Sequence, residues 1–148
     1  MAKMLDELDL NILKKLKENS LKPFVKIARE LNVSEGTIRQ RIKKLVKSGV
    51  IKRFTVDVDA SSAGLPLVAF VILNVEPDSL KSVAEEVGKI ENVVEVHEIH
   101  TFGDLLLKVR VKSLKELGEL VAQKIRSIKS VSVQYVIPVL NVWKDSPL

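Results

Sequence analysis

The stretch from Leu31 to Phe54 constrains the fold more than any other part of the chain. Ser34 stands where a helix begins, its hydroxyl free to accept from the backbone N–H of Thr37. Behind it Ile38, Ile42 and Leu45 recur at i, i+4 and i+7, which makes one stripe of the helix apolar. Arg39, Gln40, Lys43 and Lys47 fall on the other face, with Arg41 and Lys44 on the flanks. Ser48-Gly49 closes the helix, because glycine takes the left-handed conformation past a helix end without strain. Val50-Ile51 then opens a β-branched run with Lys52 and Arg53 behind it, read as a basic hairpin arm. A short helix, apolar on one side and cationic on the other, is suited to the DNA major groove. The plainer alternative is a solvated face of lysines and arginines.

The residues upstream favour the first reading. Pro23 suits a first helical position, and Phe24, Ile27, Ala28 and Leu31 form the stripe of a helix after it. Asn32-Val33-Ser34 leaves a three-residue turn, so the two helices form a helix-turn-helix whose second member reads the groove. An earlier helix completes the unit: Asp6 can cap it, Asp9 lies in its first turn, and Leu5 can staple to Leu10. Three helices and a basic arm predict a winged helix. Its DNA-binding candidates are Ser34, Glu35, Gly36, Thr37, Arg39, Gln40, Arg41, Lys43 and Lys44 on the reader, with Lys52 and Arg53 on the arm.

These residues carry a specific likeness. Leu5-Asp6-Glu7, Asp9 and Ile12-Leu13, then Ile27-Ala28, Leu31 and Val33-Ser34, then Arg41-Ile42, Leu45 and Gly49-Val50-Ile51, resemble the N-terminal domain of Lrp/AsnC-family transcriptional regulators of the archaeal type. The resemblance extends over nearly the whole chain. It implies a sequence-specific DNA-binding regulator working on a pseudo-palindromic operator.

Charge agrees with it. Residues 1–57 hold 14 Lys and Arg against 7 Asp and Glu, whereas residues 58–148 hold 10 against 12. The basic excess sits in the helix-turn-helix half, as a nucleic-acid footprint should. Cysteine is absent, which excludes disulfides and thiolate chemistry. No apolar run reaches the roughly 18 residues that cross a bilayer, and the N-terminus does not read as a signal peptide. The expected setting is the cytoplasm, with no membrane partner.

We place the DNA-binding domain at residues 1–60, a small-residue linker at 61–66 and a second domain at 67–148. Leu67 to Val75 is nearly unbroken apolar sequence and predicts a strand buried on both faces or along an interface. Pro77-Asp78 opens a helix through Leu80, Val83, Ala84, Val87 and Ile90. Val93–Ile99 and Leu105–Val111 are two further strands. Ser113 and Glu116 form a capping box for a helix carrying Leu114, Leu117, Leu120, Val121, Ile125 and Ile128. Val131 to Val142 supplies the last strand. The fold class is α+β: a winged helix-turn-helix domain, then a ferredoxin-like βαββαβ sandwich. The sheet's second face is too apolar for water, and another copy of the chain is its simplest cover. The resemblance implies the same, since regulators of this family carry a βαββαβ domain named RAM, dimerise through it and often stack into tetramers or octamers.

The resemblance also implies an amino-acid effector, bound by a loop that often reads Thr-Gly-x-x-Asp between the second and third strands. Here the loop is His100-Thr101-Phe102-Gly103-Asp104, which with Gln134 gives the candidate effector residues. Asp104 matches the pattern. His100 stands in place of the threonine, Thr101 in place of the glycine, and Gly103 where an aromatic residue is common. Ser130 also replaces a glycine that commonly precedes the last strand. Asp104 is read either as the group that receives an α-ammonium or as the cap of its own turn.

No cofactor or metal is expected. His97 and His100 would point to opposite faces of one strand, and a metal site needs convergent ligands. The enzyme alternative is a sirohaem decarboxylase, whose two-domain plan the chain also resembles. Such enzymes need no basic helix-turn-helix, and no nucleophile–base pair or phosphate loop is present.

Overall fold

Asp6 starts the first helix, α1 (Glu7–Glu18), through a reciprocal cap: its carboxylate accepts from the Asp9 N–H at 2.8 Å, and Asp9 accepts from the Asp6 N–H. Leu10 is 55% exposed. The computed structural model describes residues 4–144. Pro23 precedes rather than begins α2 (Phe24–Glu30), its carbonyl accepting from the Lys26 and Ile27 amides. Asn32 takes the left-handed turn at φ 54°, and α3 (Glu35–Lys47) follows, with Ser34 accepting from the Thr37 N–H at 3.1 Å. Gly49 ends α3 at φ 75°. Ile12, Leu16, Ile27, Ala28, Ile38 and Ile42 form the core of this three-helix unit.

The expected hairpin arm is corrected. Beyond Gly49 no strand forms before β1 among the described residues, and Phe54, Val56 and Val58 are exposed. The physical reason is local: a hairpin needs two runs joined by a turn, and residues 50–58 supply one run.

The chain divides between Asp57 and Val58 into two compact units, each with its own core. In the second unit β1 (Leu67–Val75) leads through a short 3₁₀ turn at Pro77–Ser79 into α4 (Leu80–Val87). Then come β2 (Val93–Glu98), β3 (Leu105–Val111), α5 (Leu114–Glu119) and β4 (Val131–Pro138). The sheet is antiparallel with order β2-β3-β1-β4, the ferredoxin-like arrangement. The last helix does not stay regular: α5 widens into a π turn at Leu120–Ile125, where the Arg126 N–H reaches back five residues to the Val121 carbonyl. That widening accompanies burial of Leu117, Leu120, Val121, Ile125 and Ile128 together.

Alternation along β3 fixes which side faces the helices. Leu105, Leu107, Val109 and Val111 are buried with Ala69, Val71 and Leu73 of β1 and with Val83 and Val87 of α4. On the opposite face Phe70 pairs with Ile137, and Ile72 with both Tyr135 and Leu106. Tyr135 and Ile137 there are 48% and 46% exposed. A register shift between Ile72 and Leu73 leaves Gln134 as the extra residue of a bulge in β4.

Candidate nucleic-acid interface

The apolar stripe of α3 is buried as its spacing requires, with Ile38, Ile42 and Leu45 at 6% exposure or less. That fixes the rotation of the helix and leaves Gly36, Arg39, Gln40, Lys43, Lys44 and Lys47 exposed along the opposite side. Ser34 and Glu35 open the helix, and the Ser34 hydroxyl also meets the Thr37 hydroxyl at 2.9 Å. The free N–H groups of this first turn carry the positive end of the helix dipole. Lys52 and Arg53 are exposed on the segment that follows. A row of cations beside a polar Gln40 suits a surface that holds phosphates at its margins and a base edge at its middle.

Arg41 is paired within the helix-turn-helix unit. Its guanidinium donates to Asp6 and, at 3.1 Å, to Asp9, whose side chain is 5% exposed. The salt bridge with Asp6 closes the same cluster. Arg41 therefore ties the reader helix to the capped start of α1. The Arg41 guanidinium is also the main reason the Asp6 carboxyl is held below its ordinary range. Burial of Asp9 behind a first-turn position was not visible in the sequence, although an arginine that breaks the apolar stripe of α3 was its one available signal. A second tie was also missed: Glu30 at the end of α2 bridges Lys22, and also Lys15 of α1 at 3.0 Å.

Arg39 is held without being buried. Its Nε and Nη2 donate to Glu35 Oε1 at 3.0 and 2.6 Å. Its guanidinium carbon lies 5.4 Å from the centre of the Phe24 ring.

In the second unit the β2–β3 loop is pinned to the end of β1. Asp104 donates its N–H to the Leu73 carbonyl at 2.8 Å, and its carboxylate accepts from the Val75 N–H at 2.7 Å. The carboxylate expected to meet an α-ammonium group is thus already a fastener of the loop, close to the capping alternative but acting on β1. Gly103, at φ 156°, lies against β1: a Cβ there would come 2.5 Å from Ile72 Cγ2 and 2.9 Å from the Leu73 carbonyl oxygen. Thr101 adopts φ 97°, a region that costs a side-chain-bearing residue strain. His100 and Phe102 are exposed. His97 contacts Glu95 at 3.0 Å, and Lys108 adds a second contact at 3.1 Å, so the Glu95 carboxyl is held below its ordinary range. No metal-binding cluster of His, Asp and Glu occurs among the described residues.

Gln134 accepts from the Asn74 amide at 3.1 Å across the β1–β4 pairing. A groove of about 470 Å³ opens alongside, lined by Asn74, Val75, Glu76, Ser130, Val131 and Ser132. The Ser130 hydroxyl donates to the Glu76 carboxylate at 2.7 Å, and Ser130 has φ 65°. Ser130 thus stands in the left-handed region that favours glycine. Asn74 and Glu76 were not singled out in the sequence, since only the fold brings the end of β1 beside the start of β4.

A capped helix-turn-helix with an exposed cationic reader, on a chain that also forms a ferredoxin-like sandwich, defines a DNA-binding transcriptional regulator. Comparison with known proteins makes this specific. Residues 5–52 match the winged helix-turn-helix DNA-binding family model, and residues 68–148 match the Lrp/AsnC ligand-binding domain. An HTH-type transcriptional regulator of Pyrococcus furiosus is 37% identical over 134 residues, covering 88% of this chain and 89% of its own. The chain belongs to the Lrp/AsnC family of transcriptional regulators. Escherichia coli AsnC has the same fold, with a TM-score of 0.92 at 22% identity and 99% of each chain covered. So has the Neisseria meningitidis regulator NMB0573, solved as an L-Met complex, with a TM-score of 0.89 at 23% identity over 97% of this chain and 94% of that one. The sirohaem-decarboxylase reading finds no support among these relatives. No helix among the described residues is long and apolar enough to cross a membrane.

Proposed function

We propose that this regulator is a cytoplasmic homodimer that binds a pseudo-palindromic operator and responds to an amino acid. Residues 1–60 read DNA, residues 61–66 link, and residues 67–148 assemble the dimer and hold the effector. The observation that carries the DNA-reading assignment is the exposed stripe Arg39, Gln40, Lys43 and Lys44, set opposite the buried Ile38, Ile42 and Leu45. Ser34, Gly36 and Thr37 present the helix N-terminus to a phosphate, and Lys52 and Arg53 follow the backbone beyond it. Two-fold symmetry of the protein is mirrored in the operator. The apolar face bearing Phe70, Ile72, Tyr135 and Ile137 gives the second copy its seat.

Effector binding rests on the family's ligand-binding domain and on the groove beside Gln134. Glu76 offers a carboxylate for an α-ammonium group, in place of the occupied Asp104, while His100, Thr101, Phe102 and Gly103 form the loop nearby. The Neisseria relative's complex with L-Met supports an amino acid as the class. Screening the twenty amino acids by thermal shift and sedimentation tests this. A ligand at a hundred times its dissociation constant adds about 2.7 kcal/mol of stability, and Glu76→Ala should abolish the shift. If no amino acid changes the melting temperature or the oligomer distribution, the effector assignment fails while the DNA assignment stands.

A further inference from the structure

Arg39 is the one exposed cation of the reader whose pose is fixed from two independent sides. Glu35 lies one helical turn before it and accepts from Nε and Nη2 through a single oxygen, at 3.0 and 2.6 Å. An exposed pair four residues apart on a helix holds its geometry weakly when alone. The second restraint comes from another helix. Phe24, the first residue of α2, packs against the core of Ile12, Ile27, Ile38 and Ile42, and the guanidinium sits 5.4 Å from the centre of its ring. That distance is within cation–π range. The ring is anchored from below, so it gives the guanidinium a fixed floor.

The donors left over have a defined use. A guanidinium has five N–H groups. Glu35 occupies the edge formed by Nε and one hydrogen of Nη2, which leaves both hydrogens of Nη1 and one of Nη2 on the outer end. Two parallel donors on that end match O6 and N7 of guanine in the major groove. A side chain already restrained loses less conformational freedom when it binds. The carboxylate also discourages a phosphate from taking the same place, since two anions would then compete for one cation.

We propose that Phe24 and Glu35 are positioning residues that hold Arg39 as a guanine reader, and that each operator half-site carries a G·C pair under it. The inference rests on α3 being the DNA reader. Phe24 thus acts on specificity without touching DNA.

The test begins with selection of binding sites from random duplex DNA by the full-length chain. Affinities for the selected site and its single-base-pair variants are then measured for the native protein and for Arg39→Ala, Phe24→Leu, Phe24→Tyr and Glu35→Gln. In the native protein one G·C pair should resist replacement by about 5- to 150-fold, the range of a good bidentate contact. Arg39→Ala should erase the preference at that pair alone. Phe24→Leu and Glu35→Gln should reduce it several-fold, with the preferences at other positions retained, and Phe24→Tyr, which keeps the ring, should restore it. Melting curves identify any variant that merely unfolds. Full discrimination in Phe24→Leu, or an equal loss at every position, would overturn the proposal while leaving the regulator intact. Selection of no sequence by the native protein would overturn the reader assignment itself.

Discussion

Asp6, Asp9 and Arg41 do at the scale of single residues what the pattern of α3 alone does not predict. Two carboxylates that cap α1 also grip a cation on the reader, so helix initiation and helix packing share the same atoms. Removing the buried hydrogen-bond partner by Asp9→Ala should lower stability by about 1–3 kcal/mol, measured by denaturant unfolding. Acid should act on the same cluster. Asp6 is held below 3.8 by Arg41, and Glu30 below 4.5 by Lys22. Carboxyls depressed in the folded state stabilise it above their unfolded pKa, and that contribution is lost as pH falls through the folded value. The helix-turn-helix unit should therefore lose stability as pH drops below about 4.5, in melts recorded from pH 7 to pH 3. Arg41→Leu should flatten that dependence. Thr101 makes the opposite kind of prediction. Its φ of 97° costs strain that glycine does not feel, so Thr101→Gly should stabilise by about 1 kcal/mol once its greater unfolded freedom is deducted. A lower melting temperature in that variant would show that the loop relies on the threonine.

At the scale of elements, regular helices and strands were legible because their periods are short. Leu67–Val75 and Leu105–Val111 occur as read, since apolar runs and alternation report burial directly. The arm after Gly49 was not legible, because a lone β-branched run does not reveal whether a partner strand exists. The ion pairs of Arg41 were hidden for a related reason: charge shows that a side chain seeks a counter-ion, not that Asp6 and Asp9 lie within its reach. That pairing bears on an expected measurement. With Arg41 committed to α1, the reader and arm retain about five cations per subunit, so log K against log salt should fall with a slope near −4.5 per subunit. Lys52→Ala and Arg53→Ala should each weaken operator and random DNA alike and bring the slope about one unit closer to zero. Titrations by fluorescence anisotropy from 50 to 300 mM salt read both quantities.

For the whole molecule, the two cores correspond to the two family models, one DNA-binding and one ligand-binding. On the sheet face away from the helices, Tyr135 and Ile137 of the edge strand β4 stand beside Ile72 and Phe70 and are 48% and 46% exposed. A double substitution, Tyr135→Asp with Ile137→Asp, should yield monomers by sedimentation without melting the helix-facing core. Monomers should bind a palindromic site much more weakly, because the two half-sites are then no longer engaged together. The groove at Asn74, Glu76 and Ser130 lay beyond sequence reading, as its walls are separated by half the domain and meet only in the folded sheet. The central claim is that the exposed face of α3 reads sequence. Its most direct test compares the native chain with the Gln40→Ala, Lys43→Ala double variant on a selected operator and on a scrambled duplex at one salt concentration. The ratio of the two affinities should fall by at least about tenfold. An unchanged ratio, with the variant folded, would contradict it.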